Sequence, residues 1–97
     1  MTINEIREKI TPILDTYRAE YAGVFGSMAR GDAKPQSDVD IVVRVSRLPL
    51  GIWGMVGLKE EFEKALERKV DLLSEQGMSS SFASRIKEDL VTVYGQR

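Results

Sequence analysis

Apolar positions at Ile3, Ile6, Ile10, Ile13, Leu14 and Tyr17 recur at helical spacing, and Thr2 with Glu5 three residues later reads as a capping box. A first helix over residues 2–18 follows. Pro12 lies inside it and removes the amide that would bond the Glu8 carbonyl, so a kink or break is expected near that point. Tyr21-Ala22-Gly23-Val24-Phe25 is short, apolar and ended by Gly26, the pattern of a buried strand. Ser27 is placed to cap a short helical turn through Arg30, stopped by Gly31. Asp32 to Ser37 holds Lys34-Pro35-Gln36 and reads as a surface turn. Val39, Ile41, Val42, Val43 and Val45 then make the strongest β-segment of the chain.

From Ser46 to Gly57 the pattern is less regular, because Pro49, Gly51, Gly54 and Gly57 interrupt Leu48, Leu50, Ile52, Trp53, Met55 and Val56. The expectation is a loop running into a helix that is clear from Leu58, with Phe62, Ala65 and Leu66 on one face. Lys69 to Ser74 predicts a third strand, and Ser79 to Ser81 cap a last helix carrying Phe82, Ile86 and Leu90. Val91 to Tyr94 reads equally as helix or strand. No repeat, low-complexity segment or second domain interrupts the pattern, so residues 1–97 are expected to form a single domain of α/β class: a small mixed β-sheet flanked by helices.

Composition narrows the chemistry. The chain has 97 residues, 42% of them hydrophobic, and no cysteine or histidine. Disulfides, thiolate metal sites and the usual general base are therefore unavailable, and catalysis must rest on carboxylates. With 14 basic and 15 acidic residues the formal net charge is −1, which gives no global attraction to nucleic acid. No apolar run approaches the ~20 residues needed to span a membrane, and the polar start Met1-Thr2-Ile3-Asn4-Glu5 points to a cytoplasmic protein.

Candidate chemistry sits in Gly26-Ser27, followed after ten residues by Asp38-Val39-Asp40. On one strand, Asp38 and Asp40 point to the same side and Val39 to the other. Carboxylates suit magnesium, which keeps several waters and takes further ligands from nucleotide phosphates. Helix N-termini present unpaired amides and a partial positive charge, so the Gly26-Ser27 turn suits the outer phosphates of a triphosphate. Taken singly, each motif has a plain reading: a strand end with a helix cap, and an Asx-turn residue with a solvent-facing strand position. Asp71 changes the balance, since it opens another apolar strand where β-propensity disfavours aspartate.

Gly26-Ser27-Met28-Ala29-Arg30-Gly31, then Ser37-Asp38-Val39-Asp40-Ile41-Val42-Val43, then Lys69-Val70-Asp71-Leu72 together resemble the minimal nucleotidyltransferases of the polymerase-β superfamily. The resemblance covers nearly the whole chain. It implies that Asp38, Asp40 and Asp71 are catalytic metal ligands, holding two Mg2+ ions roughly 3.5–4 Å apart. It makes Gly26 and Ser27 the triphosphate cradle, with Arg30 and Ser37 as further nucleotide contacts. An arginine at a helix end is as often a salt-bridge partner, and Arg30 is open to both roles. The implied reaction is transfer of AMP from ATP to an acceptor hydroxyl.

Families of this size resemble the antitoxin half of pairs whose other half is a HEPN-domain ribonuclease toxin. The acceptor would then be a tyrosine of that partner, in a hetero-oligomer that uses no direct nucleic-acid contact. Two alternatives stand beside it: a non-catalytic module that neutralises a HEPN partner by contact, and an enzyme acting on a small molecule such as an antibiotic. Trp53, in the apolar run from Leu48 to Val56, is a candidate for the partner surface; the plainer expectation is that it caps the small core.

Overall fold

A computed structural model describes residues 1–46 and 52–96. Helix α1 spans Ile3–Thr16, and its capping box is formed in both directions. The Glu5 amide donates to Thr2 Oγ1 and the Thr2 amide donates to Glu5 Oε1, both at 3.1 Å. Of the kink or break expected at Pro12, the break does not occur: α1 is continuous across it. Glu8 is exposed, so the carbonyl that loses its helical partner lies where water can replace it.

Four strands form one sheet in the order β3-β2-β1-β4, namely β1 (Tyr21–Phe25), β2 (Val39–Arg44), β3 (Val70–Ser74) and β4 (Val91–Gly95). β1 is antiparallel to both β2 and β4, whereas β2 and β3 run parallel. The sheet is mixed, and the Val91 segment is a strand. α2 (Ser27–Arg30) joins β1 to β2, α3 (Ile52–Leu66) makes the crossover from β2 to β3, and α4 (Ser80–Lys87) precedes β4. A 3-10 turn at Glu75–Gly77 links β3 to α4, whose N-cap Ser79 accepts from the Phe82 amide.

Alternation along the strands divides the core. Ala22, Val24, Ile41, Val43 and Val70 face α1 and α3, where they meet Ile6, Ile10, Leu14, Leu58, Phe62 and Leu66. Tyr21, Phe25 and Val42 face the other way, against Ile86 of α4. Phe25 and Phe82 meet edge to face, with ring centroids 6.5 Å apart.

α3 starts at Ile52, six residues earlier than the pattern predicted. Gly54 is buried and stands four residues before Leu58, so it extends the stripe Leu58, Phe62, Leu66 by one turn. Gly57 faces Tyr17 of α1, whose hydroxyl would lie 3.3 Å from an added Cβ. Burial at Gly54 and close packing at Gly57 thus override their low helix propensity. Trp53 does not cap the core: Ile52 and Trp53 are 75% and 72% exposed, and Val56 is 40% exposed. Leu48 to Leu50, the rest of that apolar run, lie outside the described residues.

Candidate active site

Asp40 and Asp71 are register partners on the parallel strands β2 and β3, so their Cβ atoms leave the sheet on the same face, ~4.8 Å apart at the backbone. That face is the one covered by α4, since Asp40 stands two residues before Val42 and opposite Phe25. Asp38 lies one residue ahead of β2 and is exposed. The ladder continues past it, because the Val39 amide donates to the Lys69 carbonyl at 2.9 Å. Burial pushes the Asp40 carboxyl above its ordinary range, and the negative charges of Asp71 and then Asp38 push the same way; Arg30 partly opposes them. The three acids therefore act on one electrostatic centre. Among the described residues no group of three carboxylates encloses a common point as the side chains stand.

Gly26 closes the site from the β1 side. Its φ of 73° lies in the left-handed region, and an added Cβ would collide with Asp40 Oδ2. Only a glycine leaves room for that carboxylate. Gly26, rather than Ser27, is the N-cap of α2, and no side chain caps this helix. Ser27 is its first residue, which puts the Ser27 amide among those without a helical partner.

Arg30 ends α2 with Nε 3.2 Å from Asp32 Oδ2 and Nη1 3.0 Å from Asp89 Oδ2. These two carboxylates raise its pKa, the Asp89 contact most. Two of its five N–H donors are so engaged. Sequence reasoning does not reveal these anchors: Asp89 is 59 residues from Arg30, and no local pattern joins the two. The Ser37 hydroxyl accepts from the Lys34 amide at 2.8 Å, while the Ser37 amide donates to the Lys34 carbonyl at 2.9 Å. Ser37 thus locks the turn that delivers Asp38 to β2.

Comparison with known proteins gives the family. Residues 8–97 match the family described as polymerase beta, nucleotidyltransferase. The chain belongs to that family. A Methanocaldococcus jannaschii protein, itself an inferred protein adenylyltransferase, is 38% identical over 93 residues, covering 96% of this chain and 99% of that one. The protein adenylyltransferase MntA of Thermococcus cleftensis is 33% identical over 97 residues, covering 96% and 97%. Among solved structures, a toxin–antitoxin complex with AMP-PNP superposes with a TM-score of 0.80 at 22% identity, covering 94% of this chain and 74% of that one. A Shewanella oneidensis complex of a tri-AMPylated HEPN toxin with its MNT antitoxin gives 0.74 at 20% identity, covering 98% and 74%. At those identities the two structures establish the fold alone.

This nucleotidyltransferase meets the chemical requirements for a divalent cation. Its donor set is entirely carboxylate, the hard-oxygen type suited to magnesium. Among the described residues the charge gathered around Asp40 is opposed by Arg30 alone, and a cation would offset it. The cradle at Gly26 is open in the one place where a side chain would obstruct the same carboxylate.

Proposed function

We propose that this nucleotidyltransferase transfers AMP from ATP to a tyrosine hydroxyl of a partner HEPN ribonuclease and so acts as its antitoxin. The observation that carries the reading is the pairing of Asp40 with Asp71 across parallel strands, beside a glycine that cannot be enlarged. The relatives named as protein adenylyltransferases, and the modified toxin in the Shewanella complex, support AMP as the group moved and a HEPN protein as the acceptor.

In this reading Asp38, Asp40 and Asp71 hold Mg2+, which supplies charge neutralisation and activates the acceptor oxygen. The backbone at Gly26 and Ser27 receives the outer phosphates. Arg30 has N–H donors beyond those given to Asp32 and Asp89, and these serve the same phosphates. Ser37 fixes the approach of Asp38. The acceptor oxygen forms a bond to the α-phosphorus as the bond to the bridging oxygen breaks, and pyrophosphate leaves. With no histidine or cysteine in the chain, position and electrostatics carry the rate.

The open arrangement of the three acids favours one second reading, a module that silences its partner by contact. Intact-mass measurement of the co-expressed partner separates the two, with and without ATP and magnesium and with Asp38→Asn/Asp40→Asn as control. Added AMP units on a partner tyrosine, lost in the control, support transfer. A silenced partner of unchanged mass supports inhibition by contact.

A further inference from the structure

Arg30 hangs from a helix of a single turn, and an arginine with no anchor loses rotamer freedom whenever a ligand fixes it. Its amide donates to the Gly26 carbonyl at 3.0 Å, which sets it one turn from the glycine that lies against Asp40. Its charge is felt at Asp40, where it opposes the rise in pKa that burial, Asp71 and Asp38 cause. Two carboxylates hold the guanidinium, Asp32 through Nε and Asp89 through Nη1. Among the described residues the remaining donors, one on Nη1 and both on Nη2, have no partner.

The two anchors differ in firmness. The Asp32 side chain is 61% exposed and belongs to the same surface loop as Arg30, directly after the left-handed Gly31. Asp89 comes from the turn between α4 and β4, and its side chain is 30% exposed. Its amide donates to the carbonyl of the buried Ile86 at 3.1 Å, and the adjacent Leu90 packs against the Tyr21, Phe25, Val42 and Ile86 cluster. Asp89 is thus fixed to the layer that covers the face carrying Asp40 and Asp71. Partly exposed ion pairs contribute little to stability, so the fold has small use for this one. What it fixes is the direction of a cation.

We propose that Asp89 is a positioning residue for nucleotide binding: it holds Arg30 so that the free Nη donors meet the outer phosphates of ATP. This role rests on the proposed use of ATP and extends that site to the α4–β4 turn. Two effects of losing the Asp89 carboxylate have opposite signs. Less negative charge near a phosphate site favours the anion, whereas a released arginine must be ordered again by the ligand. The direction of the change in affinity therefore tells a positioning residue from a bystander charge.

The test is calorimetric titration of the full chain with ATP and magnesium, in the unaltered protein, Asp89→Asn, Arg30→Gln and the double variant. ATP affinity is expected to fall about two- to tenfold in Asp89→Asn, the cost of ordering one long side chain. Adding Asp89→Asn to Arg30→Gln should produce no further fall, because the anchor then has nothing to hold. The urea midpoint of Asp89→Asn should match that of the unaltered chain. Unchanged or tighter ATP binding in Asp89→Asn overturns the role and leaves the ATP site standing. A fall of the same size in the Arg30→Gln background also overturns it, since Asp89 would then act on the fold rather than through Arg30. An unaltered chain that binds no ATP overturns the proposed donor and this role together.

Discussion

The two faces of the sheet are built to different standards. On one, α1 and α3 lay three buried apolar side chains each, Ile6, Ile10, Leu14 and Leu58, Phe62, Leu66, over Val24, Ile41 and Val43, and every one of these is essentially inaccessible. On the other, α4 contributes a single buried residue, Ile86, and β2 and β3 present Asp40 and Asp71. The thick layer holds the strands in register so that the thin layer can carry charge. Like charges crowded on one face of the sheet are unfavourable, and the apolar face opposite offsets that cost.

The largest expected effect tests the thick face. Phe62→Ala should lower stability by about 3–5 kcal/mol, the range for truncating a buried aromatic, read as a shift of the urea midpoint. A loss below about 1 kcal/mol would mean that α3 is not the principal cover. On the thin face, Asp40→Asn should behave in the opposite sense. Transfer activity should fall by about 10²–10³-fold or more, as when a charge-stabilising group is removed from an active site, while the urea midpoint holds or rises.

The sign follows from the raised pKa. Asp40 binds its proton more tightly in the folded than in the unfolded chain, so stability falls as pH climbs from its ordinary value near 3.8 through the raised folded value. Glu5 and Glu20, both lowered chiefly by hydrogen bonds, at Thr2 and Ser46 respectively, act in the reverse direction. The informative quantity is therefore the difference between the unaltered chain and Asp40→Asn across that window. A midpoint that drops in the variant at neutral pH would refute the account of a destabilising charge.

Gly26→Ala ranks next and strikes the boundary between the two faces. The left-handed backbone costs an alanine of order 1–3 kcal/mol at a strained site, and the new Cβ displaces the Asp40 carboxylate. Stability and activity should fall together, unlike in Asp40→Asn, where they part. Activity that survives with only the stability reduced would show that Asp40 tolerates relocation.

Legibility in the sequence follows the same division. Period-four and period-two patterns placed α1, β1, β2, β3 and α4, because burial on one face imposes them. The motif spacing pointed to Gly26, Asp40 and Asp71 together, and the register of β2 with β3 supplies the reason: strands paired in parallel bring equivalent positions side by side. Two things were not legible. The start of α3 was hidden by Gly54 and Gly57: the first is buried and the second packs against Tyr17, so their value lies in packing rather than in their own propensity. The partners of Arg30 were hidden because an ion pair between α2 and the turn after α4 leaves no periodic trace.

The smallest expected effect concerns the first turn of α3, where the pattern stops being apolar-in and polar-out. Trp53 has the size of a core residue, and a domain this short has few large side chains to spare, yet it is 72% exposed beside Ile52. A residue so placed contributes little to folding, so Trp53→Ala should move the urea midpoint by no more than about 0.5 kcal/mol. A loss of several kcal/mol would restore Trp53 to the core. A near-neutral midpoint combined with weaker capture of a HEPN partner would instead assign this apolar end of α3 to the interface, since aromatic anchors dominate binding energy where they do not serve the fold.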